Sequence, residues 1–281
     1  MEFHLVALVL FAALVHASWN AVVKSSGDRV LTFTAIHLTG TALGTVAIFF
    51  VGLPDVHVWP YLLVSALVHN LYYVFLLISY KLGDLSEVYP IARGSSPLLV
   101  ALGAMVVAGE VPTVVGFGGI ALVSVGIVSL TFARGKPTRA GMKPLLAAFC
   151  TGVLISSYTV LDGLGMRAGA SPWPYIVWLN FLEGIPFGLY VLARRRTDVA
   201  PFLRASWKPA LAGGCLTTIA YGIALFALTQ GGMAHVSALR ETSVLFAAVI
   251  GSLILKEGFG AARIISALII TAGIVVLQIS G

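Results

Sequence analysis

Two arginines sit where arginine is expensive. Arg93 and Arg240 lie about eight residues inside otherwise apolar runs, roughly 12 Å from the start of each at about 1.5 Å per residue. A guanidinium at that depth in hydrocarbon costs about 3 kcal/mol on insertion scales, so it faces a bundle interior and takes a partner. Two chemistries fit. The two-pronged guanidinium could grip a substrate carboxylate or phosphate, or it could tie helices together through a carboxylate or carbonyl. Arg240 is the better substrate candidate. The acidic residues in the apolar runs are Glu87, Asp162, Glu183 and Glu241. Glu183 is flanked by Gly184 and Pro186, where a helix can bend and a cavity open. Glu241 is next to Arg240 but about 100° away around a helix, so the two do not share a face. Asp162 lies at a depth compatible with Arg240. Each of Asp162, Glu183 and Glu241 reads as a salt-bridge partner or as a proton-coupling carboxylate.

A second constellation is polar and uncharged. His16, Trp19 and Asn20 have the i, i+3, i+4 spacing that puts them on one helix face. At an offset of 139 the chain repeats the polarity with Ser156, Ser157, Tyr158 and Thr159. Two such faces suggest the walls of a shared cavity, to which His69, Asn70, Tyr72, Tyr73 and Tyr221 could add, with Asn180 and Trp178 after them. The competing reading of each lone histidine, His37 and His235 included, is a hydrogen-bonded packing residue. No metal-ligand spacing, P-loop or nucleophile–base pattern occurs in a suitable context, so neither a metal nor a cofactor is expected. Cys150 and Cys215 lie inside apolar runs and read as packed free thiols.

The elements that must hold these residues are membrane helices. The chain is 59% hydrophobic and 10% charged, too apolar for a soluble domain to cover with polar surface. Apolar runs long enough to cross a bilayer fall near 5–23, 30–52, 60–80, 85–108, 112–132, 143–163, 173–193, 207–229, 232–255 and 259–279. Breakers such as Gly27-Asp28, Pro54-Asp55, Gly83-Asp84 and Gly231-Gly232 separate them. The third-to-fourth and eighth-to-ninth connections are so short that tight helical hairpins are expected. The first run follows Glu2 and His4 rather than a basic stretch, which reads as a retained span and not a cleaved leader. A net charge of +6 would suggest nucleic acid for a soluble protein; in a membrane protein it reads as basic loops that fix topology, with no nucleic-acid partner.

The chain also carries an internal repeat. Ile91-Ala92-Arg93-Gly94-Ser95-Ser96-Pro97-Leu98 returns 147 positions later as Ala238-Leu239-Arg240-Glu241-Thr242-Ser243-Val244-Leu245, and the same offset pairs Glu110 with Glu257. The expected architecture is all-α, with ten transmembrane helices as two inverted five-helix repeats around a central cavity: residues 1–132, a connecting loop 133–142, and residues 143–281. Five is odd, so the second copy would enter the membrane from the opposite side. Loops opposite the termini carry 14 of the 17 basic residues and those on the termini side only Arg167. The excess of basic residues faces the cytoplasm, which puts both termini outside.

Over essentially its whole length the chain resembles the drug/metabolite transporter superfamily, specifically its EamA-type ten-helix members. The resemblance rests on His16-Ala17-Ser18-Trp19-Asn20-Ala21, on Arg93-Gly94-Ser95-Ser96-Pro97 leading to Gly109-Glu110, and on Arg240-Glu241-Thr242-Ser243 leading to Lys256-Glu257. It implies a basket of ten helices in the bacterial inner membrane that moves amino acids or related metabolites. Val244 stands where the first copy has Pro97, so no proline break is expected in span nine. The function expected is secondary transport, as an exporter, of a small carboxylate- or phosphate-bearing solute by alternating access, with a proton or counter-substrate as partner and no catalysis. The rival readings are a membrane-embedded lipid-modifying enzyme, which needs a polar cluster at one interface, and a non-transporting receptor, which needs a plugged centre.

Overall fold

The computed structural model describes residues 2–24, 26–83, 85–132, 142–255 and 261–280. The connecting loop, apart from Met142, and Lys256-Glu257 lie outside the described residues. Every regular element described is helical: α1 (Phe3–Lys24), α2 (Arg29–Val51), α3 (Trp59–Leu82), α4 (Leu85–Val107), α5 (Val114–Ser129), α6 (Met142–Ala168), α7 (Pro172–Arg194), α8 (Arg196–Gln230), α9 (Met233–Arg240), α10 (Ser243–Leu255) and α11 (Ala261–Ser280), with short 3-10 turns at Val56–Val58 and Leu130–Phe132. Seven helices (α1–α4 and α6–α8) are long and apolar enough to cross a membrane, and α5 and α11 contribute shorter apolar stretches.

Polarity is distributed inside out. Phe49, Phe50, Val106 and Val114 are more than four-fifths exposed, whereas Arg93, Asp162, Glu183, Arg240 and Glu241 are all buried. In water this arrangement would leave the hydrophobic effect unused and bury charge for nothing. In a bilayer it places apolar side chains against acyl chains and charge in the protein interior, so the molecule is a multi-pass integral membrane protein.

Local signals set the helix ends. The Asp28 carboxylate accepts from Leu31 N at 3.0 Å and opens α2; Thr113 Oγ1 accepts from Gly116 N at 3.0 Å and opens α5. Past α4, Gly109 turns the chain with φ +67°, and the Glu110 amide donates back to Ala104 O at 3.1 Å.

Small residues set the packing. α2 lies against α7, where a Cβ on Gly44 would stand 2.9 Å from Phe181 N, and one on Gly184 would stand 2.5 Å from His37 O. α5 lies against α11 through Gly119 and Gly273, each approaching the other's carbonyl to 2.9 Å by the same measure. Without a hydrophobic drive between helices in lipid, such close backbone approach is a main source of attraction. α3 packs on α6 while α1 packs on α8, and α4 packs on α6 while α1 packs on α10.

Three expectations need correction. The short α3–α4 and α8–α9 connections do not lay their helices side by side as hairpins: α3 lies mainly on α6 and α7, and α4 on α6 and α5. Span eight begins much earlier, because residues 196–206 continue the helix as its exposed first turns. Span nine is two helices, interrupted at Glu241-Thr242, although it lacks the proline of the first copy; α4 runs unbroken through Pro90 and Pro97.

Candidate functional site

At the centre of the bundle is a cavity of about 50 Å³ to which eight helices contribute. α1 supplies His16 and Trp19; α3 supplies His69, Tyr72 and Tyr73; α4 supplies Arg93; α6 supplies Tyr158; α7 supplies Asn180 and Glu183; α8 supplies Thr217, Thr218 and Tyr221; α9 supplies Arg240, and α2 adds Ile36, His37 and Gly40. Space of this size takes a few waters and no metabolite.

The two arginines differ in their surroundings. Arg93 Nε lies 2.7 Å from Glu241 Oε2, and its Nη2 reaches Ser243 Oγ at 3.4 Å. Nε and Oε2 are not aligned as a hydrogen bond, so this contact between α4 and the α9–α10 turn is Coulombic. Arg240 has no carboxylate within ion-pair distance among the described residues. Its guanidinium lies over the Tyr221 ring, 5.2 Å from the centroid. That cation–π contact orients the charge without a carboxylate in contact with it.

Around the arginines the polar groups are knit across helices. Tyr73 Oη donates to Glu183 Oε2 at 3.2 Å, and His69 Nε2 stands 3.4 Å from Glu183 Oε1. His69 stacks on Tyr158 with ring centroids 3.8 Å apart. Trp19 Nε1 donates to His16 Nδ1 at 3.2 Å, which fixes both rings on the α1 face. Asp162 lies just outside the lining and accepts from Ser65, Tyr175 and Tyr221.

Of the residues expected from sequence, Arg93, Arg240, His16, Trp19, His69, Tyr73, Tyr158, Asn180, Glu183 and Tyr221 line the cavity. Asn20 and Asn70 do not: each donates its amide to the carbonyl one turn back on its own helix, His16 O at 2.9 Å and Ala66 O at 2.8 Å. Trp178 bonds the loop carbonyl of Gly52 at 2.8 Å, away from the centre. Thr217 and Thr218 were not singled out, although Thr217 and Tyr221 have the i, i+4 spacing of one face. His37, read as a packing residue, faces the cavity.

Each end of the bundle is tied by an ion pair. Arg195, between α7 and α8, reaches both oxygens of Asp28 at 3.2 and 2.7 Å and Asp198 at 2.9 Å. The hydrogen bonds from the guanidinium hold the Asp28 carboxyl below its usual range, against the opposing effect of burial. At the other end Arg167 pairs with Glu110 and also donates to Leu228 O at 2.9 Å and Gly231 O at 2.7 Å, while Glu110 accepts from Met233 N at 2.7 Å.

Residues 142–279 match the family model of the EamA-like transporter family. The chain belongs to this family. It is therefore a membrane transporter of the drug/metabolite type, with a small molecule as cargo. No curated protein matches the sequence. Among solved structures 29 chains match, and one crystal structure superposes with a TM-score of 0.80 over 98% of this chain and 96% of that one, at 21% identity. At that identity the likeness is one of fold.

Proposed function

We propose that this EamA-family chain is a secondary transporter for a small carboxylate- or phosphate-bearing metabolite of amino-acid type, carried by alternating access and exported across the bacterial inner membrane. One observation carries the substrate class: Arg240 is buried, faces the cavity and has no carboxylate partner among the described residues. Leaving a cation so deep is costly unless an anion visits it. Arg93, neutralised by Glu241, ties α4 to the broken span. Asn180, Tyr158 and the α1 face of His16 and Trp19 would read the rest of the solute.

The alternating-access reading draws on the packing. Read as five passes each, α1–α5 and α6–α11, the halves exchange roles: α3 on α6 answers α8 on α1, and α4 on α6 answers α10 on α1. Helices so related can adopt each other's conformation, which would turn an opening at one end into an opening at the other. The Asp28–Arg195 and Glu110–Arg167 pairs would then be latches at the two mouths, and with both closed the centre is narrow. Two halves of five passes make ten, which would return both termini to one side, and the basic loops opposite support a position outside for them.

The test is counterflow of labelled amino acids and phosphonates in proteoliposomes. Arg240→Ala is expected to raise half-saturation by roughly 10- to 100-fold, the loss of one charged hydrogen-bonding group. Wild-type kinetics in that variant would remove Arg240 from the site.

A further inference from the structure

From the cavity wall back to Asp162 runs a chain of polar side chains that substrate binding at Arg240 does not require. Asp162 Oδ1 accepts from Ser65 Oγ and from Tyr175 Oη, the latter at 2.8 Å, and its Oδ2 contacts Tyr221 Oη. Tyr221 Oη lies 3.1 Å from His69 Nε2. The same nitrogen is 3.4 Å from Glu183 Oε1, a buried oxygen without a hydrogen-bond partner.

His69 Nδ1 lies 2.9 Å from the Ser65 carbonyl, which can only accept, so Nδ1 carries hydrogen. Tyr221 has one proton and two neighbours. If it donates to Asp162, its oxygen accepts from Nε2–H and His69 is an imidazolium. If it donates to Nε2, its oxygen accepts from a protonated Asp162 and His69 is neutral. Both arrangements use the same heavy-atom positions and the same number of protons, and they interconvert when one proton crosses each hydrogen bond. A transfer from Nε2 to Glu183 Oε1 moves the proton to the third station. In every case the chain holds one proton more than two carboxylates, one phenol and one neutral imidazole contain.

The charge balance of the interior points the same way. Among the described residues the buried charged groups are two guanidiniums, Arg93 and Arg240, and three carboxylates, Asp162, Glu183 and Glu241. One proton makes the set neutral, as a low-dielectric interior favours.

We propose that Asp162, His69 and Glu183 share one proton through Tyr221, and that the same chain takes up the coupling proton that travels with the anion. The coupling rests on the transporter reading above; the shared proton does not. The groups facing the chain come from every helix packed on it. Glu183 meets His37 of α2 and His69 and Tyr73 of α3; Asp162 meets Ser65 of α3, Tyr175 of α7 and Tyr221 of α8; Tyr158 of α6 covers His69; and Arg240 of α9 overlies Tyr221. His16 of α1 and Arg93 of α4 share the cavity. An anion arriving at Arg240 adds one negative charge beside this chain, so its binding draws in a further proton.

Infrared difference spectra of the full-length protein in lipid vesicles, recorded between alkaline and neutral pH without any solute, test the shared proton. Wild type is expected to show a buried protonated-carboxyl C=O band. Either Glu183→Gln or Asp162→Asn alone is expected to abolish the whole band, because each leaves the interior neutral without the extra proton. Partial loss in each variant, loss in only one, or no band in wild type overturns the sharing. If Asp162→Asn fails to fold, Tyr221→Phe replaces it and is expected to shift the band; an unmoved band overturns the relay. A trapped pH dye then tests coupling with L-glutamate and phosphonoacetate as anionic probes. One proton entering with each anion carried is expected, and anion flux without proton movement overturns coupling. Vesicles that carry no solute would sink the transporter reading, and with it coupling, while leaving the infrared result intact.

Discussion

Arg93 and Arg240 occupy corresponding places in the two halves of the sequence, yet they have different partners. Because Glu241 is 2% exposed and faces Arg93, removing the guanidinium leaves a buried carboxylate without its counter-charge. Arg93→Met is expected to cost about 3–5 kcal/mol. Arg93→Met/Glu241→Met is expected to recover most of it, read as Tm in detergent; an unchanged Tm in the single variant would contradict the pairing. A second residue-level prediction concerns pH. The folded-state pKa of Asp28 lies below its ordinary 3.8, so the stabilisation it gains from Arg195 is complete above that value and is lost as pH falls through the depressed one. Arg195→Ala should therefore lower Tm at neutral pH, and the gap to wild type should close on acidification below about pH 3.8. A gap that stays constant through acid would remove the ion pair as its cause. The sequence showed that these charged residues need partners, because charge in an apolar run is conspicuous. It did not show which partner each takes: Glu241 follows Arg240 in the chain but reaches across to Arg93. Asn20 and Asn70 show the same limit, since an amide that turns back to its own helix looks no different in sequence from one that faces a cavity.

At the scale of the helix, closeness of approach matters more than hydrophobic content. Gly184 and Gly118 both lie within helices, but a Cβ on Gly184 would meet Thr41 and the His37 carbonyl, whereas nothing stands within 4 Å of one on Gly118. Gly184→Ala is expected to cost about 1–3 kcal/mol through overpacking of α2 on α7. Gly118→Ala is expected to be neutral or stabilising by about 0.5–1 kcal/mol through helix propensity. Parallel Tm measurements decide, and equal effects would contradict the packing described. The sequence gives the helices because each apolar run is long enough to be one, and small residues four apart mark contact faces. The interruption of span nine was not legible. It arises where the Thr242 amide donates to Leu239 O at 3.1 Å and the Thr242 hydroxyl bonds the same carbonyl at 2.7 Å, a local competition with the helix that needs no proline. α4 absorbs two prolines because its neighbours α5 and α6 hold it in place. The extension of α8 was hidden for the opposite reason: 35 residues make a helix of roughly 52 Å, longer than the bilayer core, and its exposed polar start carries no hydropathy signal.

For the molecule as a whole, the proposed transport joins the buried charge, the narrow centre and the ion pairs at both ends in one scheme, in which the cavity would open to each side of the membrane in turn. Thr217 lines that cavity from α8 and is neither an ion-pair member nor part of the proton chain. A single cysteine placed there, in a chain whose Cys150 and Cys215 have been replaced by serine, reports access to the centre directly. In right-side-out and inside-out vesicles alike, a membrane-impermeant maleimide is expected to label Thr217→Cys. Cross-linking cysteines introduced at Asp28 and Arg195 should abolish labelling from that end and leave it from the other. Labelling from neither side, or from the cross-linked end as readily as before, would contradict a centre reached alternately from both faces.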